Sequence, residues 1–393
     1  MTDHDRPVTA GWERPPQSGG RRWWIAAAAV VVAMVGVALL ALPQNRPAGL
    51  SVGPTAAPAE APLTDPVDPR DFVPERLRPI ETTTEQPGTG PLLPGAPADL
   101  TIVAADNSGL YLLDTDSGDL RRIAVLRPTP ATLSETLFVV GDNIVVDADT
   151  DVVLLSPTSV RPTRIADGHR AVPTVDDRSV WVYDSIAPFV AGTASRIGLD
   201  GTVHTQVQLP AIAEPLVGTA DGLVVGTPGA MTLVATDGRR RLIARGMAVA
   251  ADGRRIAWLQ CADDLSCAVN IGTVDDPDQV RTALDPTVLP AGFFGLPTGV
   301  FSPDGRWLAL PLYESSRGID DVTVSVIDTT TGIEAHRAQG SARTPFNTPL
   351  AWSPDSRWLF FVSDSDLVAW RAGEARTTTI DVDLRGIEAL TVR

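Results

Sequence analysis

Two stretches of this chain, Phe301-Ser302-Pro303-Asp304-Gly305-Arg306-Trp307-Leu308-Ala309 and Trp352-Ser353-Pro354-Asp355-Ser356-Arg357-Trp358-Leu359-Phe360, repeat one pattern 51 residues apart (301 to 352). A partial third copy, Val249 to Trp258 with Asp252-Gly253-Arg254 at its centre, begins 52 residues before the first (249 to 301). A chain that recurs at this period builds one supersecondary unit many times, each burying its apolar face on the next. Each copy reads as strand, tight turn, strand. Pro restricts φ, Gly accepts φ > 0, and apolar runs flank both. Strand repeats of this length predict the blades of a β-propeller.

Trp307 and Trp358 hold the same place in the strand after the turn. Trp258 and Trp181 are read as their counterparts, flat side chains suited to filling the space between stacked blades. On these residues the chain resembles the WD40-like or TolB-type β-propeller repeat family, whose hallmark is the Ser-Pro-Asp-Gly turn. The resemblance is specific over residues 249 to 370. It implies protein contacts in the periplasm. The chain shows no counterpart of that family's N-terminal α/β domain, so the family's partner is not carried over.

After Ala98, short strands alternate with Asp-Gly, Asp-Asn and Thr-Gly turns, and no helical period is evident. Second strands are placed at Leu100 to Ala105, Asn143 to Asp147, Ser179 to Tyr183, Gly222 to Gly226, Arg254 to Gln260, Arg306 to Leu312 and Arg357 to Ser363, one for each of seven blades. The chain enters at a second strand and leaves on a lone run, Ile387 to Val392, that reads as a first strand. The expected fold is all-β: a seven-bladed β-propeller closed by the C-terminal strand, which supplies the missing innermost strand of the first blade.

Trp23 to Leu42 carries no charge and has the length that spans a bilayer as a helix. Arg21 and Arg22 favour an N-terminus left in the cytoplasm, and Trp23 and Trp24 suit the headgroup region. A cleaved secretory or twin-arginine signal is the competing reading, and both readings export the remainder. The only cysteines, Cys261 and Cys267, lie far beyond this run, which excludes a lipid-anchored precursor. Residues 43–97 hold 13 prolines in 55 positions and are expected to form a disordered linker reaching about 3 Å per residue. The expected layout is a cytoplasmic tail (1–22), a transmembrane helix (23–42), the linker (43–97) and the propeller (98–393). This layout predicts a single-pass cell-membrane protein with an N-terminus in the cytoplasm and an extracytoplasmic domain. All 32 basic residues are Arg, which with abundant Ala and Pro indicates a GC-rich bacterial genome.

Connection length sorts into two faces. Tight turns such as Ser-Pro-Asp-Gly occupy one. The other collects Asp184 to Ser195, Cys261 to Cys267, Asp285 to Gly299, Tyr313 to Asp321 and Gln339 to Thr348, where a rigid scaffold usually carries binding residues. Phe293 and Phe294, between Gly292 and Gly295, are candidate partner anchors, with packing over a blade junction as the alternative. Phe189, Tyr313, Arg317, Arg343 and Phe346 lie in loops of the same face and extend an aromatic and arginine-bearing surface. Cys261 and Cys267 are expected to form a disulfide in an oxidising compartment, two free thiols being the alternative.

No Gly-x-Ser-x-Gly elbow, His-Glu-x-x-His or phosphate-cradling Gly loop is present. His4, His169, His204 and His336 are scattered and read as polar surface residues. Asp114-Thr115-Asp116-Ser117-Gly118-Asp119 departs from the EF-hand order and lacks the downstream Glu, so it reads as a capped hairpin turn. No metal and no cofactor are expected. From residue 98 onward 24 Arg face 38 Asp plus Glu, a balance of −14, which excludes nucleic acid as a partner. Arg239-Arg240-Arg241 is read as charge guarding an exposed edge strand. The leading expectation is a non-catalytic, membrane-tethered scaffold that binds a protein of the cell envelope. The alternative is a sensor for a carbohydrate or peptide, and a propeller-type lyase or hydrolase stands third.

Overall fold

The computed structural model of the chain describes residues 77–106, 108–126, 137–148, 151–156, 162–185, 190–227, 229–261, 267–276, 280–284, 299–313, 321–341 and 349–393. The expected tail, transmembrane helix and first part of the linker lie outside these residues. No helix occurs among the described residues, which form 29 strands.

The strands begin with β1 (Leu77–Gln86), β2 (Thr101–Ala105), β3 (Gly109–Asp114) and β4 (Leu120–Leu126). Next come β5 (Leu137–Val140), β6 (Asn143–Ala148), β7 (Asp151–Leu155) and β8 (Thr163–Asp167), then β9 (Arg170–Pro173), β10 (Ser179–Tyr183), β11 (Gly192–Gly198) and β12 (Val203–Leu209). The fourth group is β13 (Glu214–Gly218), β14 (Gly222–Thr227), β15 (Ala230–Ala235) and β16 (Arg240–Arg245), and the fifth is β17 (Met247–Ala251), β18 (Arg255–Cys261), β19 (Cys267–Thr273) and β20 (Arg281–Leu284). The last two are β21 (Val300–Phe301), β22 (Trp307–Tyr313), β23 (Asp321–Asp328) and β24 (Ile333–Ser341), then β25 (Leu350–Trp352), β26 (Trp358–Ser363), β27 (Asp366–Arg371) and β28 (Thr377–Ile380). The chain ends in β29 (Ala389–Val392).

Six of the seven sheets are four-stranded antiparallel meanders in chain order, blades 2 to 7. Blade 1 has the order β1-β4-β3-β2-β29, so the C-terminal strand is its innermost member. Innermost strands touch in a closed circuit, β29 to β5, β9, β13, β17, β21, β25 and back to β29. The ring is therefore a seven-bladed propeller sealed by its own tail, and all seven expected second strands are second strands. Antiparallel pairing of β29 with β2 sets Ile102 opposite Val392 and Ala105 opposite Ala389. The Arg393 N–H donates to the Thr101 carbonyl and the Thr101 N–H to the Arg393 carbonyl, each at 3.0 Å.

Both faces of each sheet are apolar, as stacked blades require. The result is seven separate interblade cores rather than one. The most extensive lies at the closure, where Trp358 and Phe360 of blade 7 meet Ile102, Leu113 and Leu390 of blade 1.

Two expectations need correction. Residues 77–97 are not linker. Strand β1 pairs with β4 as a fifth, outermost strand of blade 1, and Gly88, Gly90 and Leu92 N–H groups donate to Asp119 Oδ1, the Ser117 carbonyl and the Thr115 carbonyl. Leu93 is buried in the closure core. Trp258 and Trp181, moreover, are not counterparts of Trp307. Counted from the turn aspartate, Trp307 and Trp358 stand three residues on, Trp181 five and Trp258 six. Trp307 and Trp358 pack towards the following blade, whereas Trp258 packs back on blade 4.

Candidate binding face

The short-turn face uses its polar groups internally. In blade 6 the Trp307 N–H donates to Ser302 Oγ (2.9 Å), Ser302 Oγ–H donates to Asp304 Oδ1 (2.6 Å), and the Arg306 N–H donates to the same carboxylate (3.0 Å). Blade 7 repeats this with Ser353, Asp355, Arg357 and Trp358 at 2.9, 2.5 and 3.1 Å. Blade 3 builds the same device from Thr174 and Asp176, with Arg196 paired to the carboxylate.

Burial raises the pKa of Asp176 and Asp304. Hydrogen bonds outweigh it, from Thr174, Arg196, Arg178 and Ser179 in the first case and from Ser302, Arg306 and Ser356 in the second, holding both carboxyls below the usual range. A carboxyl depressed in the folded state adds stability above its unfolded pKa and loses it as pH falls through the folded one. Asp304→Asn should therefore cost about 1–2 kcal/mol at pH 7. Thermal melts should show that gap closing below about pH 4, the unfolded carboxyl range.

The turns are also tied to one another. The Asp304 N–H donates to Ser356 Oγ of blade 7 at 2.9 Å. From blade 5, the Arg255 guanidinium pairs with Asp252 (2.6 Å), lies over the Phe301 ring (5.4 Å) and reaches the Pro303 carbonyl (3.3 Å). It occupies the space where a Cβ on Gly305, at φ 73°, would project. That glycine thus serves both the left-handed turn and the neighbouring blade. Arg240 and Arg241 do more than guard an edge: they donate to the Gln208 carbonyl of blade 3 (3.0 Å) and the Val274 carbonyl of blade 5 (2.7 Å).

Asp114–Asp119 is a capped turn, as expected. Asp114 Oδ1 accepts from the Asp116 and Ser117 N–H groups at 2.9 and 3.0 Å. Among the described residues no group of His, Cys, Asp and Glu is placed to hold a metal ion.

On the opposite face, the ends of β4, β10, β18, β20, β22 and β24 are separated from the next strands by the long connections. Blade 6 is distinctive, because its entry (285–299), its central connection (314–320) and its exit (342–349) are all long. In blades 1, 2, 4 and 7 the central connection is only two or three residues long. Tyr313 closes β22 at this face, opposite Val322. Phe189, Phe293, Phe294, Arg317, Arg343 and Phe346 lie outside the described residues. By chain position Phe293, Phe294, Arg317, Arg343 and Phe346 belong to the three connections of blade 6, Tyr313 ends the strand before the second of them, and Phe189 belongs to the central connection of blade 3.

Cys261 and Cys267 form the last cross-strand pair of β18 and β19, and their sulfurs are bonded. At the starts of the innermost strands β9 and β13, an Arg170–Glu214 ion pair (2.6 Å) joins blades 3 and 4, which sequence reasoning missed. Close by in the chain, Ile212 stands exposed at φ 69°, a strained conformation for a β-branched residue.

Of the histidines, His4 lies outside the described residues and His204 is exposed near Asp200. The His169 N–H donates to the Tyr183 carbonyl (2.8 Å). His336 is half-buried rather than a free polar surface residue: its ring stacks on Trp370 of blade 7 and its Nε2 is covered.

No protein-family model matches the sequence, and no curated protein matches it. Among solved structures, a functionally unknown protein from Desulfotomaculum acetoxidans is similar at 12% identity, over 75% of this chain and 98% of its own, with a TM-score of 0.49. The β-propeller domain of the Trilobed protease from Pyrococcus furiosus, which has an open velcro topology, is similar at 12% identity, over 77% and 98%, with a TM-score of 0.48. A putative TolB from Agrobacterium tumefaciens is similar at 11% identity, over 76% and 99%, with a TM-score of 0.37. These likenesses are of fold alone, and the blade count rests on the seven sheets themselves.

Proposed function

We propose that this chain is a non-catalytic protein-binding module of the cell envelope, tethered through Trp23 to Leu42 and engaging its partner through the connections of blade 6. The observation that carries the reading is the asymmetry of the two faces. The tight-turn face commits its carboxylates and arginines to its own amides and to neighbouring blades. On the other face, blade 6 carries more connecting chain than any other blade. Two adjacent phenylalanines and two arginines in those connections are residue types that carry binding energy at interfaces.

The test is capture by the full chain, in detergent, from an envelope extract. Phe293→Ser with Phe294→Ser should weaken a stoichiometric partner about tenfold or more. Asp237→Ala, on the tight-turn face, should leave capture unchanged. Equal capture by both variants would remove blade 6 as the docking site.

A further inference from the structure

We propose that the seam between blades 6 and 7 is a pH-sensitive joint that loosens when His336 takes up a proton. His336 lies on β24, the outer strand of blade 6, and its imidazole stacks on the indole of Trp370 with centroids 5.1 Å apart and planes 14° from parallel. Trp370 is fully buried and meets Trp307 and Trp352 edge-on at 5.8 and 6.2 Å. The imidazole is therefore the outermost ring of an aromatic core that holds two blades together.

Its Nε2 is buried without a hydrogen-bond partner. A proton placed there would create an N–H donor with nothing to accept it, on a ring carrying a full charge. The surroundings offer little compensation. Glu334 shares the strand and draws the proton on, but its carboxylate is engaged by Ser325 and by Arg337 Nε at 2.9 Å. Across the seam, Arg371 is paired with Glu374 at 3.2 Å, and the Glu374 carbonyl accepts from Trp370 Nε1 at 2.8 Å. Val326, the cross-strand neighbour on β23, is apolar. The attraction of an indole face for a cation acts in the opposite sense. Burial is the larger effect and, against Glu334, pushes the imidazole below its ordinary value.

The sign follows. The unfolded chain binds a proton near pH 6.5 and the folded chain resists it, so stability is retained above that pH and falls as pH drops through the acidic range. The strain falls on one seam. Strand β24 of blade 6 and the innermost strand β25 of blade 7 flank that seam.

Hydrogen exchange on the full chain, corrected for intrinsic rates, tests it. Between pH 7.5 and 5.5 protection of 333–341 and 350–352 should fall about tenfold relative to blade 3. His336→Phe, which keeps an aromatic ring and removes the titration, should abolish the difference. His336→Gln serves if that ring is not accommodated. Carbon-13 labelling of the imidazoles should also reveal one group titrating below the ordinary histidine range and missing from the variant. Equal protection of both regions at both pH values, or ordinary titration of all four imidazoles, would overturn the proposal.

Discussion

Deleting residues 387–393 should abolish the single cooperative unfolding transition of the propeller and convert the protein to soluble aggregates. The deletion removes Ile387, Leu390 and Val392, all buried. At about 1.5–3 kcal/mol for each large aliphatic side chain, roughly 5–9 kcal/mol is lost, comparable with the whole net stability of a typical domain. The loss is also topological. Strand β2 gives up the backbone partners supplied by Arg393, Leu390 and Ala389, and blades 7 and 2 lose the strand that stands between β25 and β5. An unpaired inner edge is a template for association with another chain. Calorimetry with size-exclusion chromatography reads both consequences. Leu390→Ala, which keeps the strand, should cost about 2–4 kcal/mol and remain monomeric. An unchanged melting temperature on deletion would mean that the ring is not held by its tail.

That closure was legible because it is a bookkeeping problem in the sequence. Seven second strands were each matched by a first strand except Leu100 to Ala105, and one apolar run at the C-terminus had no successor. Strand β1 was illegible for an equally physical reason. An outermost strand needs no apolar alternation, and Leu77-Arg78-Pro79-Ile80-Glu81-Thr82-Thr83-Thr84-Glu85-Gln86 has the composition of a spacer. Its extended form is imposed by pairing with β4, and Pro79 is tolerated at a break in the register of an edge.

The polar wiring between blades was harder still to read. Nothing local marks Arg255 as a clamp, because its role depends on the absence of a side chain at Gly305, in the next blade. His336 stands in a strand that alternates exposed and half-buried positions, the pattern of a surface edge. What takes it out of that class is Trp370, one blade further on. Motif and period reveal contacts within a repeat, whereas the seams depend on which residue the neighbouring repeat places opposite.

Trp370 is where that dependence has its greatest energetic weight, and Trp370→Ala should cost about 3–5 kcal/mol. Its indole is fully buried between blades, shared among Trp307, Trp352 and His336, and donates a hydrogen bond to the Glu374 carbonyl at 2.8 Å. Truncation opens a cavity lined by three rings from two blades, and the β-sheet backbones on either side restrict collapse into it. Denaturant titration should show a lower midpoint at unchanged slope if the ring still unfolds as a unit. A shallower slope would mean that blade 7 separates first. Trp370→Phe should recover part of the loss, because it restores a stacking surface for His336 without the N–H. If Trp370→Ala costs less than about 1 kcal/mol, the aromatic cluster does not hold the seam, and the pH-dependent joint built on it fails as well.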